Sequence, residues 1–291
     1  MADTGTYLYA VTREEDRVDP AALSGLTGVA GTPVHTVAHA GLVAYVGTVP
    51  LEEFGEGPLR RSLEDLDWVG ETARAHHRVV EAVAGSAPTA PVRLVTVYSG
   101  EDQVRDMLGR RRDDFTAVLS QVAGRREWGV KAYAERAAEP RPSEPGQEAE
   151  APVKPGTDYL RRRKESLRSR DDAWRDAARR AEDIHAALAA VSVASRRHRP
   201  QDPQLSGRDD WMLLNGAYLV DDHLSEEFAA TLAGLRGPGV EIELTGPWAP
   251  YSFTQLDPGD PEAEARGSED GPEGGPEAGG PGTEARAGDG T

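Results

Sequence analysis

The stretch that most restricts the fold of this chain is a strand that runs into a proline-containing turn. Val240, Ile242 and Leu244 alternate with polar residues, which is the period-two pattern of a half-buried strand. Gly246 and Pro247 follow directly. Because proline cannot donate a hydrogen bond to a strand ladder, the strand is predicted to end before Pro247.

Three aromatic side chains, Trp248, Tyr251 and Phe253, lie on the segment after this strand. Pro247 and Pro250 restrict the backbone on either side of Trp248, so this segment has little conformational entropy left to lose. Large aromatic side chains are usually buried for their area, and we therefore expect Trp248 to close the core of its own domain. The alternative is that the three aromatic residues dock a partner protein.

Composition excludes several classes of protein. The chain has no cysteine, which excludes a disulfide framework, a thiolate metal site and a cysteine nucleophile. Its formal net charge of -17 argues against a nucleic-acid binder. No stretch approaches the roughly 20 apolar residues of a membrane span. The sequence therefore predicts a cytoplasmic protein that engages neither nucleic acid nor membrane.

Residues 1–89 are predicted to form a small N-terminal α+β domain. Their periodicity indicates three strands and one amphipathic helix, with the strands at 6–11, 34–37 and 42–49 and the helix running from a capping box at Ser62 to Gly85. The charged or glycine-containing stretches between these segments mark the connections.

Residues 90–256 are predicted to form a second domain. Two strand-helix-strand units, at 92–133 and 211–245, have the element order of a ferredoxin-like β-α-β-β-α-β domain with an expanded middle connection. The overall fold class is therefore α+β, with right-handed crossovers in both units.

The middle connection has two parts. Residues 135–156 are rich in proline, glutamate and alanine and lack aromatic residues, which predicts a flexible insert. A long helical insertion is predicted over 158–197, where apolar residues recur every seven positions, at Leu160, Leu167, Trp174, Ala181 and Leu188. Residues 257–291 are acidic and rich in glycine and proline, which predicts a disordered acidic C-terminal tail.

The long helix also carries the one basic concentration of the chain, at Arg161, Arg162, Arg163 and Lys164. One interpretation is a solvated helix face that pairs with nearby acidic residues. The other is a docking stripe for an acidic partner.

Motifs for catalysis or metal binding are absent from the sequence. There is no glycine-rich dinucleotide motif, no phosphate-binding loop and no nucleophile elbow. His35 and His39 have a spacing that binds zinc on a helix, but they lie in a predicted strand and turn, where that spacing does not bring side chains together. We predict no catalytic residue, no metal and no cofactor.

Four phrases of the sequence resemble the gas vesicle protein F/L family. They are a Tyr-x-Tyr strand at Tyr7 and Tyr9, Pro-x-Arg-x-x-Thr-Val from Pro91, Glu-Trp-Gly-Val-Lys from Glu127, and Gly-Pro-Trp-Ala-Pro-Tyr-Ser-Phe from Gly246. The family often has proline where this chain has Ala249, and it more often shows Phe-Gly where this chain has Leu94 and Val95.

The resemblance implies an accessory or minor structural protein of gas vesicle assembly. Such a protein would bind the hydrophobic major shell protein, assist shell nucleation or incorporation, and contact other gas vesicle accessory proteins, in the cytoplasm or on the vesicle. An aggregation-prone subunit needs a binder that covers its apolar surface until incorporation. The alternative function is a small-ligand-binding or enzymatic ferredoxin-like domain, which would require a pocket with convergent polar groups.

Overall fold

The computed structural model describes residues 3–134, 155–201 and 210–254. The predicted insert at 135–156 lies outside the described residues, except for its last two residues, which begin a helix. The predicted tail at 257–291 also lies outside them.

The first sheet is antiparallel and is built around the first strand of the chain. Its strand order is β2-β3-β1, and two short strands pair with the other edge of β1. The strands are β1 (Thr4–Arg13), β2 (Val34–His39), β3 (Leu42–Pro50), β4 (Ala90–Pro91) and β5 (Val97–Tyr98). This arrangement confirms the predicted first strand and the hairpin after it.

Helices cover both faces of the first sheet, so β1 is buried on both sides. One face packs Tyr7 and Tyr9 against a long helix, and the other packs Leu8 and Val11 against two later helices. The helices are α1 (Pro20–Leu23), α2 (Leu51–Phe54), α3 (Glu56–Ser62), α4 (Leu66–Ala84), α5 (Glu101–Arg110) and α6 (Arg112–Val122).

Helix α4 begins later than the sequence predicted. Ser62 is the last residue of α3, and the N-cap of α4 is Asp65, whose carboxylate accepts hydrogen bonds from the backbone N–H groups of Asp67 and Trp68. An aspartate in this position satisfies helix N–H groups that have no partner within the helix. The prediction that Ser62 opens the helix was wrong, because α3 ends there.

Three tyrosine hydroxyls of the first sheet hold irregular loops in place. The hydroxyl of Tyr9 accepts a hydrogen bond from the Val29 N–H at 2.8 Å. In two other loops, the hydroxyl of Tyr45 accepts a hydrogen bond from the Val18 N–H at 3.0 Å, and the hydroxyl of Tyr7 accepts one from the Val95 N–H at 2.9 Å. These loops have no ladder to satisfy their backbone, so the buried hydroxyls take that role.

Replacing Tyr9 with phenylalanine should therefore lower the free energy of unfolding by about 1 to 3 kcal/mol, because the Val29 N–H would lose its buried acceptor. Denaturant unfolding of the variant against the wild-type chain measures this difference. Equal unfolding midpoints would show that the hydroxyl does not hold the loop.

The second sheet is also antiparallel, with strand order β7-β8-β6-β9. Its strands are β6 (Arg125–Ala134), β7 (Ala194–Arg197), β8 (Met212–Asp221) and β9 (Val240–Trp248). Helices α7 (Pro155–Ala190) and α8 (Ser225–Gly234) pack on one face, where Tyr218 and Phe228 are the largest fully buried side chains. Phe228 and Leu232 of α8 are both buried on this face.

The layout predicted for residues 90–256 was wrong in its first unit. Residues 97–98 pair with β1 in the first sheet, and α5 and α6 pack on that sheet, so the unit at 92–133 is divided between two sheets. The free edge of β1 accepts β4 and β5, a long-range pairing that local periodicity does not reveal. In the second sheet the order strand-helix-strand-strand-helix-strand runs from β6 to β9, and α7 is its first connecting helix, not an insertion.

The end of the long helix also differs from the prediction of 158–197. Helix α7 ends at Ala190, and residues 194–197 form β7. The stretch Val191-Ser192-Val193 favours extended backbone over helix, and the edge of β8 provides hydrogen-bond partners for the residues that follow. Among the described residues, no helix combines the length and apolarity that crossing a membrane requires.

Candidate functional site

Residues 246–254, here called the C-terminal segment, run from the second sheet across to the first. Strand β9 does not stop before Pro247 as predicted. It continues to Trp248 through a register shift opposite Glu127 and Gly129. Gly246 makes this possible, because its φ is 107° and a Cβ at this position would lie 2.9 Å from the carbonyl oxygen of Glu127.

Glu127 holds the middle of the C-terminal segment with a buried carboxylate. Its two oxygens accept hydrogen bonds from the Ser252 backbone N–H at 2.7 Å and from the Ser252 hydroxyl at 2.6 Å. Burial raises the pKa of Glu127, while the two hydrogen bonds and the nearby Arg196 guanidinium act in the opposite direction. A buried carboxylate with two such donors fixes the backbone at Ser252 strongly.

The same network continues onto the second sheet. Nε2 of His198 lies 3.0 Å from the Ser252 hydroxyl oxygen. Phe253 is buried against Ala217 and Leu219 of β8, and the guanidinium of Arg196 lies 5.9 Å from the centre of its ring. Phe253 is thus a core residue of this face.

Other contacts tie the C-terminal segment to the first sheet and its helix α4. The Ala249 N–H donates to Oε1 of Glu81 at 3.0 Å, and the Thr254 hydroxyl donates to the carbonyl of Pro91 at 3.1 Å. Ala249 is buried in the core of the first sheet, and the half-buried Tyr251 packs against that core. The segment therefore fastens the two sheets together.

Trp248 lies on the outside of this connection. The prediction that it closes the core was wrong, because 40% of the residue is exposed. Its indole packs edge-on against the ring of His77, with 5.4 Å between the ring centres. The backbone on both sides is held by β9 and by the Ala249 hydrogen bond, so Trp248 is an exposed aromatic side chain on a fixed segment.

A groove of about 220 Å³ adjoins Trp248. Three of its lining residues, Arg125, Arg126 and Asp222, take part in two ion pairs, Arg125 with Asp221 at 2.9 Å and Arg126 with Asp222 at 3.4 Å. It is lined by the turn after α4, the turn before β6, and the C-terminal segment, at residues 84–89, 122, 124–126, 222 and 248–250. The site is an open groove beside an exposed tryptophan.

Comparison with known proteins decides the family. The family model described as gas vesicle synthesis protein GvpL/GvpF matches residues 5–255. The chain belongs to the GvpL/GvpF family. This is a family of gas vesicle assembly accessory proteins, and its match covers both sheets and the C-terminal segment.

Two named relatives support membership of this family. Gas vesicle protein L of Streptomyces sp. (strain CB03234) is 45% identical over 251 residues, which cover 86% of this chain and 92% of that protein. Gas vesicle protein F2 of Halobacterium salinarum (strain ATCC 700922 / JCM 11081 / NRC-1) is 23% identical, over 92% of this chain and 100% of that protein.

Two crystal structures have a similar fold. Gas vesicle protein GvpF from Anabaena sp. PCC7120 aligns with a TM-score of 0.60 and 19% identity, over 87% of this chain and 97% of that one. GvpF from Microcystis aeruginosa aligns with a TM-score of 0.57 and 20% identity, over 87% of this chain and 99% of that one. The mixed helix and antiparallel-sheet fold is therefore shared with GvpF.

The hydrogen bonds of Ser252 in this GvpL/GvpF protein differ from those of a hydrolytic triad. In a triad the histidine lies between the serine and the carboxylate and takes the proton of the serine. Here the serine lies in the middle, and its hydroxyl donates to the carboxylate of Glu127. The arrangement of Glu127, Ser252 and His198 holds the backbone of the C-terminal segment in place.

The histidines and acidic residues of the described chain form no group of three or more that could hold a metal ion. Nε2 of His35 lies 3.1 Å from a carboxylate oxygen of Glu101, so the His35 ring already has a hydrogen-bond partner. Of the basic residues on α7, Arg163 and Lys164 are exposed, while the side chains of Arg161 and Arg162 lie outside the described part.

Sequence reasoning missed Glu127 and Glu81, the two carboxylates that hold the C-terminal segment. A signal for Glu127 was present, because it is the first residue of the Glu-Trp-Gly-Val-Lys phrase and lies on a strand whose residues are all buried or partly buried. A glutamate in such a position requires hydrogen-bond donors. No signal in α4 distinguished Glu81 from other acidic residues of that helix.

His76 lies beneath the C-terminal segment and is buried as a neutral side chain. Burial, together with the smaller effect of the neighbouring His77, lowers its pKa from 6.5 to about 4. Nδ1 of His76 lies 3.1 Å from the Tyr7 hydroxyl, and its ring centre is 6.2 Å from that of Tyr251. Of the two adjacent histidines only His76 faces the core, because neighbouring positions on a helix point about 100° apart.

Because the folded state binds this proton less readily than the unfolded chain, His76 makes the protein less stable as the pH falls from 6.5 towards 4. Between pH 7 and pH 5, we expect the wild-type chain to lose about 2 kcal/mol more stability than a His76→Gln variant. Denaturant unfolding at both pH values measures this, with His77→Gln as the control. Parallel pH profiles for wild type and His76→Gln would contradict it.

Proposed function

We propose that this GvpL/GvpF protein is an accessory protein of gas vesicle assembly that binds the hydrophobic major shell protein and assists its nucleation or incorporation into the shell. The observation that carries the proposal is Trp248, an exposed aromatic side chain held beside a groove on a fixed segment. The proposed role is binding, and it needs no catalytic site or cofactor.

A shell protein that packs into a hydrophobic wall exposes apolar surface before it is incorporated. Such surface aggregates unless a binder covers it. Exposed tryptophans at the centre of an interface often carry a large share of the binding free energy. A half-exposed indole at the edge of a groove suits this role better than a fully buried one.

The C-terminal segment prepares Trp248 for binding. Its contacts with Glu127, Glu81 and the core hold the segment in one conformation before any partner arrives. A side chain on a fixed backbone loses less entropy when it binds than one on a loose loop. Tyr251 and Phe253, expected from the sequence as partner-binding residues, support this segment from beneath in our proposal.

The basic residues of α7 are a second proposed contact. Arg161, Arg162, Arg163 and Lys164 offer a docking stripe for an acidic partner, such as another gas vesicle accessory protein. Similarity to gas vesicle protein L of Streptomyces supports an L-type role for this chain. We propose that it works in the cytoplasm and at the gas vesicle.

The binding proposal is tested by co-expressing the chain with the major shell protein and measuring how much shell protein is recovered with it. Trp248→Ala should reduce recovery by about tenfold or more, as loss of an interface anchor does, while its melting temperature stays close to that of the wild type. Trp211→Ala is the matched control, because Trp211 is exposed and lies before β8. Equal recovery with Trp248→Ala and wild type, or an equal loss with Trp211→Ala, would contradict the proposal.

A further inference from the structure

Strand β7 forms one edge of the second sheet, and four consecutive positions along it carry arginine or histidine. They are Arg196, Arg197, His198 and Arg199, and all four are exposed. The sequence predicted the first two as the end of the long helix, whereas the structure places them on a strand that pairs with β8. An edge strand offers backbone groups with which a further strand can pair.

The register of β7 shows which of its backbone groups are directed outward. The N–H of His198 donates to the carbonyl of Asn215 at 2.7 Å, so these two residues form a hydrogen-bonded pair. Because bonded and non-bonded pairs alternate along an antiparallel ladder, the residues two and four positions before His198 also bond to β8. The N–H and C=O groups of Ser195 and Arg197 therefore point away from β8, to the side on which the described part of the sheet has no further strand.

Arginine side chains flank this edge on both faces of the sheet, because side chains alternate along a strand. On the face that carries the C-terminal segment, the guanidinium of Arg196 lies 5.9 Å from the ring centre of Phe253. On the face that carries α7, Arg197 pairs with Glu182 at 2.7 Å, and both side chains are exposed. Exposed ion pairs contribute little to stability, so Arg197 can also meet a carboxylate of another chain.

The sign of the charge on β7 is opposite to that of the chain, whose net charge is -17. Charged side chains on an edge strand often prevent pairing between copies of a protein. Strand β9, at the other edge of this sheet, carries Glu241 and Glu243, which suit that role in an acidic chain. A basic edge attracts acidic chains, so protection against pairing does not account for it.

We propose that β7 is a docking edge for an extended segment of another protein, which has acidic side chains on both faces and adds to the four-stranded sheet as a further strand. The backbone of the segment bonds to the outward groups of Ser195 and Arg197, and its carboxylates lie beside the arginines. In such strand addition, main-chain hydrogen bonds supply affinity and side chains supply specificity. The inference uses different residues from the proposed binding of the shell protein and does not depend on it.

Two other occupants fit this edge less well. A second copy of the chain that paired through its own β7 would place arginines of the two copies side by side, which is unfavourable. Nucleic acid would be attracted by the arginines but repelled by the acidic remainder of the chain. The charge pattern therefore favours an acidic polypeptide.

Binding is tested with a labelled, capped synthetic peptide of three Glu-Glu-Val repeats, which places acidic side chains on both faces of a strand. Fluorescence anisotropy with the full chain measures its dissociation constant. A peptide of three Lys-Lys-Val repeats and a short DNA duplex should each bind about tenfold more weakly or worse. Absence of binding by the acidic peptide at about 1 mM, or equal binding by either control, would overturn the proposal.

A proline substitution tests the backbone contact without changing the charge. Ser195→Pro removes an outward N–H that the sheet does not use, and edge strands tolerate proline in such positions. We expect it to raise the dissociation constant of the acidic peptide about tenfold or more while the melting temperature stays close to that of the wild type. Ser195→Ala, which loses only the hydroxyl, should bind like the wild type. Equal binding by Ser195→Pro and wild type would show that charge alone attracts the peptide.

Charge reversal locates the peptide on β7. Arg199→Glu should weaken binding of the acidic peptide about fivefold or more. Arg61→Glu is the matched control, because it makes the same change of charge at an exposed residue of α3 and should have little effect. Equal weakening by the two variants would mean that the peptide responds only to the net charge, which would contradict docking at β7.

Amide hydrogen exchange of the wild-type chain reads the strand addition directly. Without peptide, the amides of Ser195 and Arg197 should exchange faster than that of Arg196, which bonds to β8. Saturating acidic peptide should slow the first two about tenfold or more. Unchanged exchange at Ser195 and Arg197 in the presence of bound peptide would overturn the proposed strand addition.

Discussion

Replacing Leu188 with aspartate should lower the free energy of unfolding by about 4 kcal/mol or more, and the second sheet should lose its packing against α7. Leu188 is fully buried in the core that α7, α8 and the sheet share. A carboxylate placed there would have no ionic partner. The cost of removing it from water adds to the loss of the apolar contacts of leucine, so the expected loss of stability is among the largest for a single substitution.

Ala173→Asp is the matched control, because Ala173 lies on the same helix but is exposed. We expect its unfolding midpoint to stay within about 0.5 kcal/mol of the wild type, as for most surface substitutions. Denaturant unfolding of both variants measures the difference. A Leu188→Asp variant that unfolds like the wild type would show that α7 does not pack on the sheet.

Replacing Glu127 with alanine should release the C-terminal segment and lower the free energy of unfolding by about 3 kcal/mol. The Ser252 N–H and hydroxyl would both lose a charged acceptor in a buried place, and hydrogen bonds to charged groups are each stronger than neutral ones. Part of this loss is offset, because the buried carboxylate itself is costly to desolvate.

Amide hydrogen exchange measures the release directly. Protection of the Ser252 and Phe253 amides should fall in Glu127→Ala, while protection in β1 stays unchanged. Glu81→Ala is the control, because it removes one hydrogen bond at the other end of the segment, where Glu81 is partly exposed. Unchanged protection of Ser252 in Glu127→Ala would show that this carboxylate does not hold the segment.

Local pattern was sufficient for elements whose partners are close in sequence. The hairpin of β2 and β3 followed from period-two spacing. The first strand of the unit predicted at 92–133 is interrupted in the structure. Val95 has a positive φ of 58°, and residues 90–91 and 97–98 pair with β1 as two separate short strands. Local spacing carries no information about which sheet offers a free edge.

The exposure of Trp248 could not be predicted for a related reason. A tryptophan directly after a strand is normally buried, but the register shift of β9 opposite Glu127 breaks the alternation of the strand before it reaches Trp248. The face that Trp248 occupies depends on this shift, which requires Gly246 and the backbone of another strand. The sequence shows the glycine and not the strand that it lies against.

The most direct test of the account is gas vesicle formation in a vesicle-forming host whose own copy of this gene has been replaced by a variant. With Trp248→Ala, we predict that the protein accumulates at the normal level, while flotation and the number of vesicles seen by electron microscopy fall strongly. With Trp211→Ala, both should be normal. Normal flotation and vesicle number in the Trp248→Ala strain would contradict the claim that the protein acts in shell assembly through Trp248.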